Sequence, residues 1–248
     1  MQKIAIYGKG GIGKSTTVSN MAAVLADEGT TVMQVGCDPK ADSTVSLRGD
    51  TPLVPVMDTY RKKVNQITLE DMYVIGYKGV ICVEAGGPTP GLGCAGRGVA
   101  KALELLNEKD AFKILKPDVV FLDVLGDVVC GGFSMPLRRG FSDKVYIISS
   151  GEQMAMHAAM NLGLALEDFE RRGHVGLSGV IANLRNVPDE KAKIDELCED
   201  LRCPLIGTIP NSPDVKKASD DGLTVLEADP GSPMIKIYGE IAHALIGE

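Results

Sequence analysis

The chain has 248 residues, 44% of them hydrophobic, which is enough apolar material for the core of one α/β domain. Its net charge of −7, without a basic cluster, argues against nucleic acid or an anionic membrane as the main partner. The sequence has no N-terminal signal pattern and no apolar run near the ~20 residues of a membrane span, so we expect a cytoplasmic protein.

Apolar, β-branched runs alternate with helical patterns along the chain. The runs predict strands at 3–7, 31–35, 79–84, 118–123, 144–149, 177–183 and 205–209. The patterns between them predict helices near 15–28, 95–108, 153–172, 189–201 and 232–246. This alternation is typical of an α/β fold with a largely parallel, doubly wound sheet and helices on both faces. We expect ligands at the carboxyl ends of its strands.

Two segments interrupt the pattern. Glycines and prolines predict irregular structure for residues 47–58, and a run of glycines does so for residues 86–98. The sequence shows neither an internal repeat nor a low-complexity linker. We therefore predict that residues 1–248 form a single domain.

A glycine-rich loop follows the first predicted strand. It consists of Gly8, Lys9, Gly10, Gly11, Ile12, Gly13, Lys14, Ser15 and Thr16. Glycines in such a loop let backbone N–H groups touch phosphate oxygens, because a Cβ atom would obstruct the approach. Lys14 would then contact the β- and γ-phosphates, and the Ser15 hydroxyl would ligate Mg²⁺. The motif predicts a P-loop NTPase that binds a nucleoside triphosphate, and the alternative is an ordinary glycine-rich turn.

Lys9 is unusual in a loop of this kind, where a small or neutral residue is more common. A cation at this position can reach a phosphate that is held by a facing subunit. Lys9 therefore indicates a nucleotide sandwiched in a dimer.

Carboxylates follow two further strands. Asp123 ends an apolar strand, where an acidic residue can hold Mg²⁺ or its water, and a backbone N–H near Gly126 can sense the γ-phosphate. Asp38 and Asp42 follow the strand at 31–35. Asp38 is a candidate base for the attacking water, and Asp42 a candidate switch residue on the Mg²⁺ side. The alternative is that all three are polar turn or cap residues.

Two of the six cysteines lie in glycine-rich segments at the ends of predicted elements. Cys94 precedes a helix and Cys130 follows a strand, and both surroundings favour a thiolate and the approach of N–H groups to a sulfur-rich anion. A 4Fe-4S cluster needs four thiolates, which a two-fold dimer could supply. The alternative is that both are buried core thiols. We interpret the other four cysteines as core or surface thiols; they are Cys37, Cys82, Cys198 and Cys203.

Four long segments, at 8–16, 35–44, 82–98 and 123–133, resemble the nitrogenase iron protein family, which includes nitrogenase-like reductases. The similarity continues through Ser150-Gly151-Glu152 and Asn183 to about Pro210. It implies a homodimer with one MgATP in each subunit. It also implies one 4Fe-4S cluster, bridged at the subunit interface by Cys94 and Cys130 of both chains.

The resemblance also implies roles for single residues. Lys14, Ser15 and Thr16 correspond to phosphate and magnesium contacts, and Lys9 to a lysine that acts across the subunits. Asp38 and Asp42 correspond to hydrolysis and switch carboxylates, and Asp123 to the start of the switch that links nucleotide to cluster. Asn183 and Pro210 match nucleotide-binding positions, and Asn183 corresponds to the residue that contacts the adenine. Arg97 matches an exposed arginine that is ADP-ribosylated in some members, and its alternative is a charge on a helix face.

The function implied is ATP-dependent electron transfer from ferredoxin or flavodoxin to a catalytic metalloprotein. Thr89, residues 45–58 and residues 211–214 depart from the nitrogenase pattern, which makes a nitrogenase-like system that reduces tetrapyrroles or sulfur compounds the alternative. Two other classes are a partitioning ATPase, which often has a basic surface or a membrane helix, and an iron-sulfur scaffold ATPase, which usually has a C-x-x-C pair.

Overall fold

The computed structural model describes residues 1–87, 95–126, 135–138 and 140–247. One eight-stranded sheet lies at its centre, in the order β3-β4-β2-β5-β1-β6-β7-β8. The strands are β1 (Gln2–Tyr7), β2 (Val32–Gly36), β3 (Val74–Ile75), β4 (Ile81–Glu84), β5 (Val119–Asp123), β6 (Lys144–Ser149), β7 (Leu177–Asn183) and β8 (Leu205–Ile209). Seven of them are parallel, and only the short edge strand β3 is antiparallel to its neighbour.

Helices connect the strands on both faces of the sheet. They are α1 (Lys14–Asp27), α2 (Val45–Arg48), α3 (Val56–Lys63), α4 (Ala95–Glu108), α5 (Ala111–Leu115), α6 (Gln153–Arg171), α7 (Glu190–Asp200), α8 (Pro213–Asp220), α9 (Val225–Ala228) and α10 (Met234–Ile246). The predicted α/β class with a largely parallel, doubly wound sheet is confirmed.

The core lies in two layers, one on each face of the sheet. Along β1, Ile4 and Ile6 belong to the layer with α1 and α10, whereas Ala5 and Tyr7 belong to the layer with α4 and α6. Successive side chains of a strand point to opposite faces, so a strand that is buried on both faces must be apolar throughout. This is why the strands were recognisable as continuous apolar runs.

The prediction of irregular structure for residues 47–58 is wrong at both ends. The end of α2 and the start of α3 lie inside this segment. Pro55 immediately precedes α3, and a proline at the start of a helix is compatible with helical structure. The helix predicted near 95–108 is confirmed as α4, so the second predicted irregular segment, 86–98, overlaps a helix that was also predicted there.

The sequence did not predict β3, α2, α3, α5, α8 or α9. Each of these has only two to eight residues, too few for a clear hydrophobic period. Within the described ranges, no helix combines the length and the apolar character that a membrane crossing requires.

Candidate nucleotide and cluster sites

The glycine-rich loop joins the end of β1 to the start of α1 in a conformation that requires glycine. Gly8, Gly11 and Gly13 have φ angles of 149°, 76° and 94°. A Cβ atom on Gly8 would overlap the carbonyl oxygen of Ile148, and one on Gly13 would lie 2.6 Å from Asn183 Nδ2. Side chains larger than hydrogen are therefore excluded by backbone angle and by space.

Side chains from the end of β7 hold the loop from outside. Asn183 Nδ2 donates to the carbonyl oxygen of Ile12 at 2.7 Å. Arg185 Nη2 donates to the same oxygen at 3.0 Å and to the Gly11 carbonyl oxygen at 3.3 Å. Asn183, which was predicted to contact the base, thus also fixes the loop that would hold the phosphates.

Lys14 is the first residue of α1 and is only 8% exposed. Its Nζ donates to the carbonyl oxygen of Lys9 at 3.2 Å, so the ammonium group lies across the loop. An anionic phosphate oxygen is a stronger acceptor for an ammonium than a neutral carbonyl. Lys14 is therefore placed to exchange this contact for one with a phosphate. The Lys9 side chain itself is half-buried.

Asp123 lies at the end of β5, between two other strand ends. It is in register with Ile6 of β1 and with Gly36 of β2. Its side chain is buried and accepts hydrogen bonds from the hydroxyl groups of Ser15 and Ser43. The sheet thus brings a carboxylate to the same Ser15 hydroxyl that was predicted to ligate Mg²⁺.

The environment of Asp123 fits a cation. Burial raises the pKa of its carboxyl group, while the hydrogen bond from Ser15 and the positive charge of Lys14 lower it, with a net increase. Its Oδ2 atom is buried and has no hydrogen-bond partner among the described residues. Buried polar atoms are nearly always satisfied, and Mg²⁺ or a water in its coordination sphere would satisfy this one.

Two cavities meet at the start of α1. The phosphate cavity, of about 650 Å³, is lined by Gly10, Gly11, Gly13, Lys14, Ser15, Thr16, Asp38, Pro39, Lys40, Asp42 and Leu125. The base cavity, of about 270 Å³, shares Gly11, Gly13 and Thr16 with it. One nucleotide could therefore place its phosphates in the first cavity and its base in the second.

Asp38 and Asp42 enter the phosphate cavity from the segment after β2. Asp38 is half-buried and Asp42 is exposed. Asp38 Oδ1 accepts the N–H of Lys40 at 2.8 Å, which holds a tight turn at this position. The structure thus brings both carboxylates to the same cavity as the glycine-rich loop, at the carboxyl edge of the sheet.

The base cavity contains Asn183 and Pro210, and also Asn211 and Ser212 from the segment 211–214 that departs from the family pattern. Further lining residues, which the sequence did not indicate, are Arg185, Val215, Lys216, Ser219, Asp220 and Tyr238. Many of them belong to α8 or precede it. Ser212 accepts the N–H of Asp214 at 3.2 Å and Pro213 begins the helix, a Ser-Pro start signal that could have revealed α8 and its cavity face.

Cys94, Cys130 and Thr89 lie outside the described residues. Among the described thiols, burial raises the pKa of Cys82 to about 12 and of Cys203 to about 11, and it raises those of Cys37 and Cys198 as well. Within the described ranges, no group of three or more His, Cys, Asp or Glu residues could hold a metal ion. Arg97 is exposed in the first turn of α4.

Beyond Asp123, the chain passes directly over the glycine-rich loop. A Cβ atom on Gly126 would overlap the backbone of Gly8, so the two glycines are in close contact. Leu125 lines the phosphate cavity. The segment that leads from Asp123 toward Cys130 is thus in contact with the nucleotide site before it leaves the described residues.

Comparisons with solved structures show the fold. The septum site-determining protein MinD of Pyrococcus horikoshii, complexed with Mg-ADP, matches with a TM-score of 0.74 at 18% identity, covering 98% of this chain and 94% of that chain. The cell division ATPase MinD of Pyrococcus furiosus matches with a TM-score of 0.75 at 21% identity, covering 99% and 98%. The predicted P-loop NTPase fold is confirmed.

Comparisons with sequences show the family. The family described as "4Fe-4S iron sulfur cluster binding proteins, NifH/frxC family" matches residues 2–248. Nitrogenase iron protein 2 of Methanothermococcus thermolithotrophicus is 46% identical over 257 residues, covering 99% of this chain and 88% of the relative. The nitrogenase iron protein of Methanococcus voltae is 45% identical, with the same coverage. The chain therefore belongs to the NifH/frxC family, and it is an ATP-hydrolysing reductase component of the nitrogenase type whose cofactors are a 4Fe-4S cluster and MgATP.

Proposed function

We propose that the chain forms a homodimer that accepts electrons from ferredoxin or flavodoxin and passes them to a catalytic nitrogenase component. Cys94 and Cys130 of both chains would hold the 4Fe-4S cluster, which supplies a one-electron carrier at the subunit interface. One observation carries the proposal most directly: the segment that follows Asp123 lies against the glycine-rich loop at Gly126 and continues to Cys130.

The proposed nucleotide roles follow from the two cavities. Lys14 binds the β- and γ-phosphates, and Ser15 ligates Mg²⁺ with Asp123 beside it. Asp38 serves as the base for the attacking water, and Asp42 is the switch residue on the Mg²⁺ side. Asn183 and Pro210 hold the base in its cavity. Lys9 reaches the nucleotide of the facing subunit, which makes hydrolysis dependent on the dimer.

Coupling between the two sites would be mechanical. Residues 124–129 join the nucleotide site to Cys130 and span at most ~25 Å even when fully extended. A γ-phosphate that attracts the backbone of Gly126 would displace this segment and pull on its cysteine end. A nucleotide changes the cluster only if it binds two arrangements of the segment with different affinity.

A nitrogenase-like reductase is the second candidate. Thr89, residues 45–58 and residues 211–214 favour it, because they depart from the nitrogenase pattern. Identities of 45 to 46% to nitrogenase iron proteins favour the first candidate. A partitioning ATPase is not proposed, since the likeness to MinD, at 18 to 21% identity, shows the fold alone.

The test is anaerobic electron delivery. The reduced dimer should pass electrons to a nitrogenase catalytic component only when MgATP is present, and Cys94→Ala or Cys130→Ala should abolish both the transfer and the cluster's iron. Cys203→Ala is the matched control and should retain iron and transfer. Four irons retained per dimer in Cys94→Ala would refute the cluster assignment. Transfer to a tetrapyrrole-reducing component alone would favour the second candidate.

A further inference from the structure

Three neighbouring parallel strands end in register beside the phosphate cavity. Gly36, the last residue of β2, is paired with Glu84 of β4 on one side and with Asp123 of β5 on the other. Residues in register on adjacent strands project from the same face of a sheet. Glu84 and Asp123 are 0% and 2% exposed. Two buried carboxylates thus flank one glycine.

Gly36 provides the space that these carboxylates occupy. A Cβ atom on Gly36 would overlap Glu84 Oε2 and would lie 2.7 Å from Ser43 Cβ. Glu84 therefore leans over the glycine, toward the side on which Asp123 lies. The Oε2 atom of Glu84 is buried without a hydrogen-bond partner among the described residues.

Two consecutive hydroxyl residues bind this pair of carboxylates. Thr44 donates both its backbone N–H and its Oγ1 hydroxyl to Glu84 Oε1, each at 2.7 Å. Ser43, the preceding residue, donates to Asp123. The carbonyl oxygen of Ser43 also accepts Gln34 Nε2 at 2.9 Å. The end of the segment that carries Asp38 and Asp42 is thus attached to two strand ends.

The two carboxylates have different surroundings. Asp123 interacts with Ser15 and Lys14, which belong to the phosphate site. Glu84 instead binds Thr44 with both hydrogen bonds on one oxygen. Its strand is also fixed by the neighbouring backbone, because Ala85 donates to the Gly36 carbonyl oxygen at 2.8 Å and accepts Met57 N–H at 3.1 Å. These contacts orient Glu84 toward Thr44 and not toward the nucleotide site.

We propose that Glu84 is a positioning residue for ATP hydrolysis: through Thr44 it fixes the end of segment 38–44, which presents Asp38 and Asp42 to the phosphate cavity. This assignment rests on the proposed roles of the two aspartates. The same contact joins segment 38–44 to β4, whose continuation leads to Cys94. The nucleotide site would then have a second connection to a cluster ligand, in addition to the one from Asp123 to Cys130.

Thr44 offers a matched pair of variants for the test. Thr44→Val keeps the shape and the backbone N–H but removes the hydroxyl donor to Glu84, whereas Thr44→Ser keeps the donor. With the cluster-loaded dimer and a nitrogenase catalytic component, we expect Thr44→Val to lower the kcat of ATP hydrolysis about ten-fold. The KM for MgATP should change less than two-fold, and Thr44→Ser should stay within two-fold of the wild type in both constants.

Hydrogen exchange of the nucleotide-free dimer gives a readout that is independent of hydrolysis. Peptides covering residues 38–44 should exchange faster in Thr44→Val than in Thr44→Ser. Equal exchange in the two variants would overturn the inference. So would an unchanged kcat in Thr44→Val, or a rise in its KM for MgATP in place of a fall in kcat. A wild type that binds MgATP but does not hydrolyse it would refute the proposed function, and the exchange comparison would still decide the role of Thr44 and Glu84.

Discussion

Lys14 is a lysine buried in a loop of backbone amides, and its ammonium contacts the Lys9 carbonyl oxygen. Burying a charge is unfavourable unless strong partners surround it. The triphosphate would provide such partners, with a negative charge that the carbonyl lacks. A bound triphosphate would therefore add to the stabilisation that the Lys9 carbonyl oxygen and the charge of Asp123 already provide.

The first prediction concerns this charge. Lys14→Gln should abolish MgATP-dependent electron transfer, because the neutral amide cannot compensate the charge of the β- and γ-phosphates. The cluster's visible absorbance should remain, since Cys94 and Cys130 lie on other segments. Lys236→Gln is a matched control on the exposed surface of α10 and should behave as the wild type. Normal coupled transfer in Lys14→Gln would disprove the phosphate role.

The second prediction concerns Glu84 and pH. Burial raises the pKa of Glu84 to about 7, against the hydrogen bonds from Thr44 that lower it. A carboxyl whose pKa is raised on folding contributes stability at low pH, and this contribution is lost as the pH rises through the folded-state value. Between pH 5 and pH 8, the free energy of unfolding of the wild type should therefore fall by roughly 2 to 3 kcal/mol relative to that of Glu84→Gln, whose side chain does not titrate.

Urea unfolding of both proteins at the two pH values measures this difference. The comparison with the amide variant cancels the titration of the other groups, so that only the contribution of Glu84 remains. A stability difference that is the same at pH 5 and pH 8 would show that Glu84 titrates near its ordinary value.

Within the sheet, the ends of β1, β2, β5 and β7 bring the candidate site residues to the carboxyl edge. This arrangement was predictable for β1, β2 and β5, because continuous apolar runs followed by glycine or aspartate mark both the strand and its end. The glycine-rich loop was predictable because the positions of its glycines depend on backbone angles that only glycine adopts readily.

Other parts of the site could not be read from the sequence. Arg185 contacts the loop across a long separation in the chain, and nothing in its local pattern indicates a loop contact. Glu84 looked like the last residue of a strand, and its role depends on the register with Gly36, which sequence alone does not fix. The helix α8 was missed because eight residues give little periodic signal.

The third prediction tests the start of α8. Ser212 caps the helix by accepting the N–H of Asp214, so Ser212→Ala should lower the free energy of unfolding by about 1 kcal/mol. Because α8 presents Lys216 and Asp220 to the base cavity, the affinity for MgADP should also fall. Urea unfolding and nucleotide titration measure the two effects. Ser212→Asp retains a capping oxygen and should restore stability, and equal stability of all three proteins would rule out the cap.

At the scale of the whole molecule, the sheet places the nucleotide site and the segment that leads to Cys130 on adjacent strand ends. The cavities for phosphate and base lie around the start of α1, while residues 124–126 pass over the glycine-rich loop. A nucleotide-dependent movement of this segment therefore has a direct path to one of the proposed cluster ligands. We expect the γ-phosphate to change the exposure of the cluster by this path.

The rate of iron removal by bipyridyl from the anaerobic dimer measures this exposure. Chelation should be faster with MgATP than with MgADP or without nucleotide, because only the γ-phosphate displaces the segment after Asp123. Asp123→Glu, with a longer carboxylate, should make the rate independent of the nucleotide while the cluster itself survives. Equal chelation rates for the wild type with MgATP, with MgADP and without nucleotide would show that the nucleotide does not act on the cluster through this segment.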